Sequence, residues 1–329
     1  MYFPERVSKE DYERYCSRCL RLFLSVDIVN STALKQEFRE KDDSWLSIAR
    51  SFYTAFPTFV ASALDALPAA DAASKPILWK AIGDELVFVS EIERMDAIPT
   101  LLRALRTAVN RWNREKEGAG VLVKGGAWLA GFPVMNSIIP GEVKGRHDYI
   151  GSSIDTGFRL CRFASPRHLV IGIEVAYVVA QLADPLVNEL HFEGRQEIRG
   201  VLKGQPYPIF WLDCFSADSD LPKIAEVAKR EDVITGNHSK MLEAKSVVSF
   251  ITAWVESTAG EIQLPFPPGG EDPKFPEPSD YTDKEQKKRV EFERVYLPKD
   301  EPDETDGLDA PDSETNPLLA KLKKGPQNR

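Results

Sequence analysis

An α+β fold, with an antiparallel-rich sheet and flanking helices, is what this chain predicts. Three observations carry that reading. Short apolar runs of strand length recur as far as about residue 217. Stretches with apolar residues every three or four positions lie between them. Two of the strand runs meet at a Gly-Asp turn as a hairpin. With 329 residues, 43% of them apolar, the chain can build one large or two modest domains around a buried core.

Leu20 to Val29 is mostly apolar and predicts a buried strand. Asn30-Ser-Thr32 then offers N-cap chemistry, and a helix starting there would aim free N–H groups at an anion. Trp45, Ile48, Ala49, Phe52, Phe56 and Phe59 recur at spacings of three and four, which predicts a long amphipathic helix. Ala66 to Lys75 is a small-residue connection. Ile77 to Ile82 and Leu86 to Val89 follow as hairpin strands turning at Gly83-Asp84. The apolar positions between Ile98 and Trp112 predict a helix, and Val121 to Leu129 a strand. A Gly/Pro-punctuated excursion then runs to about Gly145. The remaining elements are a helix from Ile154 to Phe163, a strand from Leu169 to Ile173, a helix from Val175 to Leu182 and a final strand within Gln205 to Phe215. Mixed strands and helices with a central hairpin make a split, ferredoxin-like α+β domain.

The character changes after about Ala217. Met241, Ala244, Val248, Ile251, Trp254 and Val255 form an apolar stripe that predicts a helix over Lys240 to Glu256. From Leu264 onward 11 prolines fall among 66 residues with dense Asp and Glu, a composition unable to bury a core of its own. Within it, Glu291 to Leu297 alternates weakly, as a strand would. The expected organisation is a lead-in over 1–19, the α+β domain over 20–216, a helical extension over 217–263 and an acidic, Pro-rich flexible tail over 264–329.

A net charge of −9 argues against a phosphate-tracking nucleic-acid surface. No uninterrupted apolar run reaches the roughly 18–20 residues of a membrane span; His168 to Ala183 comes nearest and carries Glu174. Met1-Tyr-Phe-Pro-Glu-Arg6 lacks the basic-then-apolar pattern of a signal peptide. Only four cysteines fit a reduced, cytoplasmic protein. Cys16-Ser-Arg-Cys19 has no second pair at zinc-site spacing, so two reduced thiols are expected there.

Chemistry concentrates in three motifs. Asp27, in Val26-Asp-Ile-Val-Asn-Ser-Thr32, and Asp84, in Lys80-Ala-Ile-Gly-Asp-Glu85, each stand at the mouth of an apolar strand. A carboxylate there is costly unless something cationic meets it. Two on neighbouring strands make a hard-oxygen site suited to Mg²⁺ or Mn²⁺, as phosphoryl or nucleotidyl transfer requires. The third motif is Asp148-Tyr-Ile-Gly-Ser-Ser-Ile-Asp155-Thr-Gly-Phe-Arg159. Asp155 and Arg159 would share one helix face, a spacing that an ordinary i,i+4 ion pair explains equally well. Taken singly, Asp27 fits a helix cap, Gly83-Asp84 a hairpin turn and Lys80 a solvated edge lysine.

Together, in this order and spacing, the motifs resemble the catalytic pattern of class III nucleotidyl cyclases over Leu20 to about Phe215, with Leu202-Lys203-Gly204 before the final strand as a further similarity. The resemblance implies that Asp27, Asp84 and the backbone carbonyl of Ile28 bind two Mg²⁺ or Mn²⁺ ions per site. It implies that Lys80 and Asp148 contact the base edge and that Arg159 stabilises charge on the α-phosphate, where a guanidinium suits spread-out oxygen charge. Lys203, with Lys144 or Arg146, would hold the triphosphate of a nucleoside triphosphate substrate. It also implies a homodimer with two shared sites. Trp79 and Trp128 are expected as core or dimer-interface aromatics.

Asp155 stands where the family has an asparagine, and an ionised aspartate only accepts hydrogen bonds. It could hold a ribose hydroxyl or pair with Arg159. Lys80 and Asp148 satisfy adenine and uracil alike, so pocket volume must separate the bases. Tyr53 and Phe52 could fill the void a pyrimidine leaves, or belong to the core. The Gly-Asp-Glu-Leu-Val-Phe88 stretch and the stand-alone layout look like the bacterial Pycsar pyrimidine cyclases. That likeness implies cyclic UMP, ahead of cyclic CMP, as an antiphage signal for a separate effector. An adenylate cyclase and a silent nucleotide-sensing module stay open as alternatives. The polymerase-palm and diguanylate-cyclase readings lack a Gly-Gly-Asp-Glu-Phe signature.

Overall fold

In the computed structural model, the described residues are 7–40, 45–68, 75–141, 147–215, 222–235, 242–269 and 272–297. A short helix, α1 (Lys9–Cys16), leads into β1 (Cys19–Ile28). Helices α2 (Ser31–Glu40) and α3 (Trp45–Asp65) follow, then the hairpin β2 (Ile77–Ile82) and β3 (Glu85–Glu91), helix α4 (Ala97–Lys116) and β4 (Val123–Phe132). A separate hairpin, β5 (Asn136–Pro140) with β6 (His147–Gly151), precedes α5 (Ser152–Leu160), β7 (His168–Ile171) and α6 (Ile173–Gln181). The chain continues through β8 (Leu190–Gln196), β9 (Tyr207–Asp213), α7 (Lys223–Thr235), α8 (Ala244–Glu256) and α9 (Tyr281–Tyr296).

The main sheet has the order β2-β3-β1-β4-β7-β9-β8. Its first four strands with the intervening helices form a βαββαβ unit in the spatial order β4-β1-β3-β2, the ferredoxin-like arrangement. Among the described strands of this sheet, only β4 and β7 pair in parallel; the other neighbours run antiparallel. The fold is therefore the expected α+β type with an antiparallel-rich sheet.

Strand β1 reads as a continuous apolar run because both its faces are buried. Leu20, Leu22, Leu24, Val26 and Ile28 meet Phe52, Phe56, Leu101, Leu105 and Trp112 in the larger core. Phe23 turns to the other face, where Val87, Val89, Trp128, Tyr149 and Ile154 form a second, aromatic cluster. There Phe23 stacks on Trp128 at 5.5 Å and meets Trp79 and Tyr149 edge-on at 5.4 and 5.2 Å. Gly157 lets α5 lie directly on Trp128, since a Cβ there would come within 2.2 Å of the indole ring atoms.

Several expectations need correction. The excursion after Leu129 contains the β5–β6 hairpin, and Asp148-Tyr-Ile-Gly151 is a strand that leads directly into α5. Strand β8 and helices α1 and α7 were not anticipated. Residues 281–296 are helical, not the strand expected over 291–297. The segment from Leu264, expected to be a flexible tail, is also partly built into the fold. Phe275 and Tyr281 are buried, and the Tyr281 hydroxyl donates to the Phe132 carbonyl at 2.9 Å. Arg18 pairs with Glu277 and Glu285, both at 2.7 Å, and Phe292 packs on Tyr12 and Tyr15 of α1. The few aromatics of this segment pack against the residues that precede it.

Cys16, Cys19 and Cys214 are buried and none of the four cysteines is disulfide-bonded; burial pushes the Cys16 and Cys19 thiols up. Among the described residues, no helix is long and apolar enough to cross a membrane.

Candidate active site

Strand register builds a carboxylate corner. Antiparallel pairing sets Asp27 opposite Glu85 on β3 and opposite Lys124 on β4. Gly83, at φ +65°, turns the β2–β3 hairpin so that Asp84 follows directly, and Ile28 N–H donates to the Asp84 carbonyl at 3.2 Å. The Ile28 side chain lies in the core, so only its backbone reaches the corner. Lys124 Nζ lies 3.4 Å from Asp27 Oδ2, and Lys35 of α2 lies 3.8 Å from Asp84 Oδ1. Burial raises the Asp27 carboxyl above its usual range; Lys124 opposes that shift and Asp84 adds to it. Burial likewise raises Glu85, which accepts from Ser25 Oγ at 2.6 Å, with Asp27 and Asp84 adding to the shift.

This corner is short of positive charge even with two lysines present, the condition under which a hard cation is favoured. Among the described residues, no group of three or more His, Cys, Asp or Glu side chains could hold a metal ion. Two carboxylates and a strand-end backbone fit the other mode, in which Mg²⁺ is shared between one or two carboxylates and substrate phosphates. The residues present therefore fit a hard divalent cation that a bound anion helps to hold.

A second group forms where β2 meets β6. Lys80 Nζ lies 2.5 Å from Asp148 Oδ2, joining residues 68 positions apart. Trp79 Nε1 donates to the His147 carbonyl at 3.2 Å, so two successive residues of β2 grip two of β6. Beneath them Arg21 Nη1 donates to the Tyr149 hydroxyl at 2.6 Å, and that hydroxyl lies 2.6 Å from His147 Nε2. Burial, with Arg21 and Arg14, lowers His147 to about 4, so it is neutral at pH 7.

The third group lies on α5 and the loop before β9. Asp155 and Arg159 share a helix face, but the ion pair considered between them is not formed. Arg159 Nη1 instead donates to the Arg199 carbonyl. Asp155 lines a cavity of about 410 Å³ together with Thr156, Glu174, Lys203 and Glu261. Lys203 Nζ lies 2.5 Å from Glu261 Oε1. Glu174 is buried at the start of α6, and burial raises its carboxyl to about 7 against the opposing bond from Tyr207.

Two other expectations sort themselves. The Tyr53 hydroxyl donates to the Gly83 carbonyl, at the carboxylate corner. Phe52 is fully buried against Phe56 and Trp112 and is core. Trp79 and Trp128 both belong to the aromatic cluster. Lys144 and Arg146 lie outside the described residues. Sequence reasoning missed Lys35, Lys124, Glu85, Glu174 and Glu261. Lys124 and Glu85 carried a signal, since each follows from pairing its strand with β1, but Glu261 carried none.

No family model and no curated protein matches the chain. Solved structures similar to it include the adenylyl cyclase CyaB from P. aeruginosa, at 14% identity and a TM-score of 0.45 over 63% of this chain and 98% of that one. Adenylate cyclases from Trypanosoma brucei are similar at 16% identity and a TM-score of 0.44, over 60% of this chain and 91% of theirs. The guanylate cyclase domain of RhGC from Catenaria anguillulae is similar at 15% identity and a TM-score of 0.41, over 59% of this chain and 96% of that one.

Proposed function

We propose that this chain is a class III nucleotidyl cyclase, its catalytic domain spanning residues 20–216, that converts a nucleoside triphosphate to the 3′,5′-cyclic nucleotide and diphosphate. The observation that carries the reading is the pairing of Lys80 with Asp148 in the same fold that sets Asp27 beside Asp84. A helix cap, a hairpin turn and a solvated edge lysine, taken separately, do not account for both.

Asp27, Asp84 and the Ile28 backbone would hold two Mg²⁺ or Mn²⁺ ions, which supply Lewis acidity toward the ribose 3′-oxygen and the triphosphate. Every other role falls to side chains. The Lys80 ammonium donates to an acceptor on the base edge and the Asp148 carboxylate accepts from the neighbouring N–H. Asp155 accepts from a ribose hydroxyl. Arg159 meets the charge that grows on the α-phosphate oxygens as the 3′-oxygen bonds to phosphorus and the bond to diphosphate breaks. Lys203 neutralises the outer phosphates. We assign the carboxylate corner of one protomer and the Lys80, Asp148 and Arg159 groups of its partner to each site of a homodimer.

For the base, we propose a pyrimidine, UTP ahead of CTP. The product would act in antiphage signalling through a separate cyclic-nucleotide-activated effector. The support is the Gly-Asp-Glu-Leu-Val-Phe88 stretch and the placement of the bulky Tyr53 beside Gly83. A second reading, ATP as substrate, is equally compatible with the Lys80–Asp148 pair, which suits adenine and uracil alike. Incubating the purified chain and Mn²⁺ with ATP, GTP, CTP and UTP in turn, with products identified by mass spectrometry, tests both. Cyclic UMP or cyclic CMP supports the pyrimidine reading, cyclic AMP replaces it, and no cyclic product from any nucleotide contradicts the cyclase reading.

A further inference from the structure

The loop from Arg199 to Gly204 holds both of the cations assigned to phosphate. Arg159 is bound to the Arg199 carbonyl, so its guanidinium rests on the loop backbone. Lys203 is bound to Glu261, which lies outside the catalytic domain in the segment after α8. That segment is anchored beside the loop. Ile262 and Leu264 pack on the larger core, and Gln205 Nε2 donates to Ser257 Oγ at 3.2 Å. The loop itself is strained. Leu202 and Lys203 take φ values of +47° and +51°, a region that Cβ-bearing residues seldom occupy, between Gly200 at +73° and Gly204 at +90°. Glu261 and Ile262 also line the cavity that holds Asp155.

A carboxylate on a lysine that faces such a cavity occupies the place of a phosphate oxygen. We propose that Glu261 is an internal competitor for substrate phosphate: it holds Lys203, keeps the loop in its left-handed conformation with Arg159 drawn onto it, and leaves when a polyphosphate enters. The C-terminal extension is then a latch on the site. This rests on the reading of Lys203 and Arg159 as phosphate-binding groups. The pair is exposed, so the competition is mild, and removing the carboxylate should tighten polyphosphate binding by about two- to fivefold.

The test is calorimetric titration of the full chain with inorganic tripolyphosphate, alongside assay of the wild type for cyclic nucleotide formation. Glu261→Gln should bind tripolyphosphate about two- to fivefold more tightly than wild type. In a Lys203→Ala background the same change should have no effect. Unchanged or weaker binding by Glu261→Gln overturns the latch, as does a gain that persists without Lys203. Two mixed outcomes separate the latch from the cyclase reading. Cyclic nucleotide made by a wild type whose Glu261→Gln variant shows no gain removes the latch alone. A Lys203-dependent gain in a protein that cyclises no nucleotide keeps the latch and removes the cyclase.

Discussion

Asp27 and Asp84 are held by the sheet: strand register and one backbone hydrogen bond set them side by side, with Lys124 near the first and Lys35 near the second. Arg159 and Lys203 are held by a strained loop and by the segment after α8, each with its charge met by a protein oxygen. On the proposed reading the first region would receive a cation at carboxylates that Lys124 and Lys35 now approach. The second would have to release internal bonds to receive an anion. In the proposed site, metal binding would rest on the β-sheet, and phosphate binding on what the loop and the segment after α8 release.

The largest effects should come from removing either side of that contrast. Asp27→Ala, Asp84→Ala and Arg159→Ala should each lower cyclase turnover by about 10²–10³, the usual loss when a transition-state electrostatic group is deleted. Steady-state kinetics on the folded variants checks this. An Arg159→Ala enzyme with near-normal turnover would break the comparison by leaving the loop side without a catalytic role.

Glu174 sharpens it from the cavity. Its folded-state value of about 7 lies above the ordinary 4.5, so the native state holds an extra proton between those values. The associated stability is fully present below about 4.5 and is lost as pH rises through 7. Glu174→Gln keeps the neutral form. Its stability gain over wild type should grow between pH 4.5 and 8, by up to about 3 kcal/mol. Urea unfolding across that range measures the gain, and a constant difference would show that Glu174 is not buried as described.

Disrupting the Lys80–Asp148 pair should cost less. Lys80→Ala or Asp148→Asn should lower kcat/KM for the preferred nucleotide by about 10- to 100-fold, the scale of a hydrogen bond to a charged group. The ranking of the four nucleotides should shift with it. Smallest is Tyr281→Phe, which removes the bond to the Phe132 carbonyl and should lower stability by about 1 kcal/mol.

The parts that were legible are those where one local pattern suffices. Strand β1 stands out because both faces are apolar, α3 and α4 because of their regular spacing, and the β2–β3 hairpin because of Gly83-Asp84. Asp27, Lys80, Asp84, Asp148, Asp155, Arg159 and Lys203 were visible as motifs. Strand β8 escaped because it is an edge strand with an irregularity between Phe192 and Gly194, which breaks its alternation. The β5–β6 hairpin was hidden by Gly and Pro punctuation, and α9 by the scarcity of apolar residues in it. Lys35 and Glu261 could not be found from spacing at all, since each meets its partner only through tertiary packing. Sequence therefore revealed the candidate chemical groups but not the contacts that hold them ready or hold them back.

Mixing two inactive variants tests whether each site joins the carboxylate corner of one protomer to the Arg159 group of its partner. Asp27→Ala and Arg159→Ala proteins, each purified and then mixed under conditions that allow subunit exchange, should recover about a quarter of wild-type cyclase activity. Half of the dimers would then be mixed, each with one intact site. A mixture as inactive as its components, with subunit exchange confirmed, would contradict the shared site.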